Sequence, residues 1–255
     1  FFMKKIYLLF VTIVLIGVQL SSAQNVVTNQ IIVCSGGSIS DPNDFVTIAS
    51  VVPETGITSI FDTIYTQSVQ DIIIEDGIAY VAAQDSIVKY DLNTYNRLAE
   101  VEALGVHKLA VRKDVLIATF WYPVTSGFVK TYLLSDLTPV FTFEDVSDEA
   151  DGIYVFPGDL YTVVAVPGGW SSTTGKIAWL DLDQNTFVTE ANLNDYGIGV
   201  SYFVNYYTGF PNYAAITKTP WGGTTFFSYG FTVTGEPTGA YEYNGVMQGY
   251  TGQEN

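Results

Sequence analysis

The sequence predicts an all-β fold, a β-propeller of four-stranded antiparallel blades, and three observations predict it. Charged residues make up only 14% of the 255-residue chain, while 48% is apolar and 15% aromatic, a balance that suits short strands and turns better than solvated helices. Apolar runs of about six residues alternate with polar turns, as in "DGIAYVAAQDSIVKYDLNT", Asp76 to Thr94. That phrase also recurs. Aligned on their second apolar run, copies begin at Gly77, Asp114, Asp159 and Asn212, at offsets of 37, 45 and 53 residues. A period near 45 residues with four short strands per unit is that of a propeller blade. A two-sheet sandwich would also carry strands at short spacing, but it does not call for a repeat.

Taken in order, residues 1–23 read as a signal peptide and not as part of the fold. Lys4 and Lys5 form a positive start, Ile6 to Leu20 an apolar run, and Ser21 and Ala23 the small residues of a cleavage site. The apolar run is short of the roughly 20 residues a membrane span needs. The remaining chain has room for about five units, at roughly 25–66, 67–104, 105–147, 148–197 and 198–255. In the clearest unit, Val69 to Ile74 is the innermost strand, followed by Ile78 to Ala83, Ser86 to Asp91 and the outer Arg97 to Glu102. The second strand is almost wholly apolar, as expected of one sandwiched between blades, and the outer strand carries Arg97, Glu100 and Glu102 at a solvent edge. Cys34, the only cysteine, lies in the run "QIIVC" and reads as a buried strand residue; one cysteine allows no internal disulfide.

The pattern "SVQDIIIEDGIAYVAAQDSIVKYDLNT", with "VVPETGITSIFDTIYTQ" upstream of it, resembles the YncE-like propellers and the related secreted surface propellers of Bacteroidota. The resemblance extends over Ile31 to Asn185 and is weak after Tyr196. It implies export, a seven-bladed ring of which this chain would hold about five blades, and for the most part no catalysis. The long, aromatic-rich fourth and fifth units depart from the pattern.

The repeat itself locates candidate sites. In a propeller the entry of each innermost strand lines the central channel, and the equivalent positions here are Gln70-Asp71, His107-Lys108, Asp151-Gly152 and, approximately, Gly199 to Ser201. His107, the only histidine, is the one imidazole available as acid, base or metal ligand, with Asp151 to face it and Lys108 to place an anion. Polar residues at a wet channel mouth equally need no ligand. Three successive loops between second and third strands carry a tryptophan among Pro and Gly: Trp121 in "TFWYPVTSG", Trp170 in "VPGGWSSTTG" and Trp221 in "KTPWGGTT". Held by such loops, Trp121, Tyr122, Trp170 and Trp221 would form a platform for sugar rings or a peptide, unless each Trp folds back as a lid on its blade.

Acidic groups suggest calcium less than they first appear to. Asp181, Asp183 and Asn185 alternate as in a calcium loop, but the Gly at position 6 and the Glu at position 12 are missing, and a turn between strands explains them. The run "FEDVSDEADGIY", carrying Glu144, Asp145, Asp148, Glu149 and Asp151 near the channel entrance, reads as a solvated loop, with weak cation binding as the alternative. The formal charge of −16 sets nucleic acid and anionic membranes aside as partners. No GxSxG elbow, HExxH helix motif, phosphate loop or paired cysteines occur, and no cofactor is implied. The reading is an exported, monomeric, non-catalytic binding or scaffold propeller whose ligand, a glycan or a protein, sits on the Trp-bearing face. The alternative is a lyase or hydrolase working at the channel through His107 and Asp151.

Overall fold

A computed structural model describes residues 30–37, 40–155, 161–169, 172 and 175–192, together with the strand backbone of 197–204, 211–218, 224–231 and 237–243. The segment 1–23 lies outside the described residues, so its reading as a signal peptide stays an expectation. All regular structure among the described residues is β. The chain divides into two units, Phe1–Val33 with Ser50–Ser59 and Cys34–Ala49 with Ile60–Asn255. In the smaller unit, Gln30 Nε2 donates to Ser50 Oγ at 2.9 Å, and Val52 and Ile57 close a turn through Gly56, whose φ of 66° is left-handed.

The strands are β1 (Ile31–Ser35), β2 (Val46–Val51) and β3 (Thr58–Ile64), which form a sheet in that order. Four sheets of four strands follow: β4 (Val69–Glu75), β5 (Ile78–Ala83), β6 (Ser86–Asp91) and β7 (Asn96–Glu102); β8 (Val106–Arg112), β9 (Val115–Phe120), β10 (Val129–Leu133) and β11 (Pro139–Phe143); β12 (Ile153–Val155), β13 (Thr162–Val166), β14 (Lys176–Asp181) and β15 (Thr186–Asn192); β16 (Gly197–Val204), β17 (Pro211–Lys218), β18 (Thr224–Phe231) and β19 (Pro237–Tyr243). Each is an antiparallel meander in chain order. The first strands of successive sheets, β4, β8, β12 and β16, pack beside one another, as the innermost strands of a propeller do. These sheets are blades. β13 starts at Thr162, two residues later than the alignment on Asp159 implies.

Packing explains why the second strands are so apolar. In β9 every residue from Leu116 to Phe120 is buried, and the side chains alternate between two cores. Leu116, Ala118 and Phe120 join Tyr80, Ala82 and Ile87 of the preceding blade, whereas Ile117 joins Val164, Ala178 and Leu180 of the following one. A strand buried on both faces loses the polar positions that a half-exposed strand keeps. Each such aliphatic side chain stabilises by about 1.5–3 kcal/mol relative to exposure. Outer strands behave differently. β7, β11, β15 and β19 each carry one extra residue against their partner, Leu98, Val140, Val188 and Thr238, a bulge at the same place in every blade. A bulged edge twists away from regular pairing and so resists edge-to-edge association.

The turns repeat as well. Between third and fourth strands, Asp91 accepts from Asn93 N, Asp136 from Thr138 N, and Asp181 from Asp183 N, at 2.7–2.9 Å. The alternating Asp181, Asp183 and Asn185 are therefore the repeat's side-chain-capped turn, with Asn185 in the left-handed region. Cys34 in β1 is only half-buried, because that strand alternates between exposed and half-buried positions; burial still pushes its thiol up to about 11.

Candidate functional site

A shared irregularity brings the channel candidates to equivalent places. In β4, Val69 pairs with Ala83 and Asp71 with Ala82, which leaves Gln70 as an extra residue. In β8, Val106 pairs with Phe120 and Leu109 with Ala118, so His107 and Lys108 together oppose Thr119. Ahead of β12, Asp151 N donates to Ala165 O while Gly152 O accepts from Ala165 N, again two residues against one. In β16 the extra residue is Ile198, between Gly197 and Gly199, so the fourth equivalent position falls just before the expected Gly199 to Ser201. A bulge re-aims the side chains it carries. Here Lys108 and Asp151 reach toward a neighbouring blade.

Those side chains join the blades. Asp71 Oδ2 accepts from Leu109 N at 3.0 Å, and Lys108 Nζ reaches Gln70 O at 3.5 Å, both across the junction of the second and third blades. The Gln70 side chain turns back to Ser68. Buried Thr119 accepts from Lys108 N at 3.0 Å and holds the bulge in shape. At the next junction, His107 Nδ1 lies 3.1 Å from Asp151 Oδ1, the two side chains being 18% and 10% exposed. This is an ion-pair contact without the alignment of a hydrogen bond, since neither atom has a directed partner among the described residues.

The loop candidates converge on the same place. The Trp121 ring stacks on His107, centroids 4.2 Å apart and planes inclined by 15°, and its backbone N donates to Gly105 O at 2.8 Å. Trp121 therefore folds back against the channel residue as a lid, and its buried Nε1 finds no acceptor among the described residues. Tyr122, next in the chain, points out and is 82% exposed. Its N–H donates to Glu149 Oε1 at 3.2 Å. Burial raises the Glu149 carboxyl above its ordinary range, Asp148 adds to the rise, and the Tyr122 N–H and His107 oppose it. Trp170 and Trp221 lie outside the described residues, so a three-tryptophan platform is not described.

The acidic loop is more firmly tied than its composition suggests. Val146 and Ala150 are buried in the core beneath it, Ser147 donates to Glu190 through both N–H and hydroxyl, and Lys176 pairs with Glu190 at 3.2 Å and contacts Ser147. Among the described residues no group of His, Cys, Asp and Glu is arranged to hold a metal ion.

At the opposite ends of the strands, cations close the same junctions. Lys89 Nζ donates to Leu134 O at 2.6 Å and Ser135 O at 2.9 Å. Arg112, whose side chain is 2% exposed, grips Asp183 with both terminal nitrogens at 2.9 Å, and Lys113 reaches the same carboxylate. Arg112 and Lys113 hold the Asp183 carboxyl down at about 2. Sequence reasoning overlooked Lys89 and Arg112, and named Glu149 only as part of a solvated acidic loop. The available signal for the first two was a basic residue at a position the repeat marks as interior.

No family model matches the chain, and no curated protein matches it. Solved structures do. The hydrazine synthase of Kuenenia stuttgartiensis aligns with a TM-score of 0.57 over 87% of this chain and 68% of that one, at 9% identity. The computationally designed Ika4 protein aligns with a TM-score of 0.47 over 62% of this chain and 89% of that one, at 11% identity. The fold is that of a propeller. At such low identity the likeness concerns fold alone and carries no activity with it.

Proposed function

We propose that this chain is an exported, monomeric, non-catalytic binding propeller of the YncE-like secreted kind, which takes a glycan or protein ligand on the loop face around Tyr122. One observation carries the reading: Tyr122 is 82% exposed while the backbone beneath it is fixed at Gly105 O and Glu149 Oε1 and braced by the Trp121–His107 stack. A flat side chain held outward loses little entropy on binding, so its contact area converts efficiently to affinity. The test is binding of the full chain to a glycan array and to candidate surface proteins, compared with Tyr122→Ala. A tenfold or greater loss in the variant supports the reading, and unchanged binding overturns it.

The 3.1 Å contact of His107 with Asp151 favours a second reading, a lyase or hydrolase with His107 as base or acid. Against it, Asp71 at the preceding junction uses its carboxylate to link blades, and the His107–Asp151 pair occupies the corresponding place. Turnover of an acidic or neutral polysaccharide that disappears in His107→Gln would establish the enzyme reading.

A further inference from the structure

We propose that His107 is a proton-operated latch across the junction of the third and fourth blades, and that its charged form holds the Trp121–Tyr122 loop in its displayed position. The proposal rests on the reading of Tyr122 as a ligand contact and adds regulation to it. Asp151 is buried, and its Oδ1 receives no directed hydrogen bond among the described residues. A buried carboxylate is tolerated when a positive charge faces it, and here that charge exists only while His107 carries its proton.

The surroundings reinforce the sign. From the loop ahead of β12, Asp148, Glu149 and Asp151 present negative charge, and Glu149 lies close enough to His107 for their charges to interact. From β4, Asp71 faces the next residue pair, its Oδ2 taken by Leu109 N. Lys108, on the same bulge, directs its ammonium the other way, to Gln70 O. From the loop after β9 comes only the indole of Trp121, stacked on the ring. An imidazolium is therefore matched by carboxylates from the next blade and by an aromatic face, which favours cations. A neutral ring keeps the stack and loses the charge match.

Trp121 ties the latch to the loop, because its ring stacks on His107 while the next residue, Tyr122, donates its N–H to Glu149. Gain of the imidazole proton closes this set, and its loss opens it. As His107 is the only histidine, its ring signals are unambiguous in the intact chain.

The experiment follows the His107 ring protons by NMR from pH 5 to pH 8.5, alongside hydrogen exchange of the Trp121, Tyr122 and Val124 amides at pH 6 and pH 8. After correction for intrinsic rates, protection of these amides is expected to fall about fivefold to tenfold at pH 8 in the wild type. It should be pH-independent in His107→Gln. Asp151→Asn, which keeps the imidazole should His107→Gln fail to fold, removes the facing carboxylate and is expected to abolish the same pH dependence of loop protection. Loop protection that ignores His107 titration, or that changes equally in His107→Gln, overturns the latch. Neither readout uses a ligand, so failure of the latch and failure of Tyr122 as a contact are separately visible.

Discussion

Lys89 tests the idea that cations at the third-strand positions join blades. Its ammonium is buried, donates to the carbonyls of Leu134 and Ser135 at 2.6 and 2.9 Å, and lies over the Tyr80 ring at 5.9 Å. Lys89→Met keeps most of the stem and removes only the charged tip. Two charge-assisted bonds are worth about 1.5–3 kcal/mol each. Ser135 is exposed, so its carbonyl regains water, and the Tyr80 hydroxyl, already 3.4 Å from Leu134 O, replaces part of the other. Release from burying an ammonium offsets a further portion. A net loss of about 2 kcal/mol remains, which for a chain of this size lowers Tm by about 4–8 °C. Thermal unfolding followed by circular dichroism, with urea midpoints as a check on reversibility, measures it. Lys89→Ala should lose more, because its stem leaves a void. A Lys89→Met protein as stable as the wild type, or more so, would refute the reasoning by showing that desolvation outweighs the blade contact.

The Arg112–Asp183 clamp predicts acid sensitivity. With the Asp183 carboxyl held down at about 2, its contribution is complete above the ordinary carboxylate range near pH 4 and fades as pH falls toward 2, so the loss of Tm between pH 4 and pH 2 should be shallower in Arg112→Met than in the wild type. Gly105→Ala should destabilise by about 2 kcal/mol or more in chemical unfolding, since φ is 78° and an added Cβ would collide with Trp121 O. Cys34, its thiol pushed up to about 11, should react with iodoacetamide at pH 7.5 many times more slowly in the folded chain than in urea, as mass spectrometry will read.

What the sequence could convey followed from how far each signal extends along the chain. The second strand of each blade is buried on both faces by its neighbours, so its apolar run marks a blade locally, and β4 to β7 lie where the pattern puts them. The bulges leave no such mark: an extra residue at Gln70 or Leu98 changes pairing without changing composition. Asp183 read correctly as part of a turn, but its partner Arg112 lies 71 residues away, and only placing the two blades side by side brings them together. Trp121 could be read as platform or lid for a similar reason. Its stacking partner, His107, was visible as a channel residue, but nothing in the spacing shows that a loop tryptophan bends back over it.

The same geometry bears on whether the channel residues act on a substrate. At each described junction the irregular starts of two neighbouring first strands meet, and the preceding junction uses them for a backbone cap, Asp71 to Leu109 N, and a carbonyl contact, Lys108 to Gln70 O. His107 and Asp151 fit that series as the junction where both partners are side chains. Here the imidazole is covered on one face by Trp121, and its Nδ1 edge meets a buried carboxylate. The exposed aromatic surface is instead one residue further on, at Tyr122, where a ligand would meet a side chain already held by the junction below. That division of labour, with joining groups inward and Tyr122 outward, is the geometry on which the proposed recognition role rests.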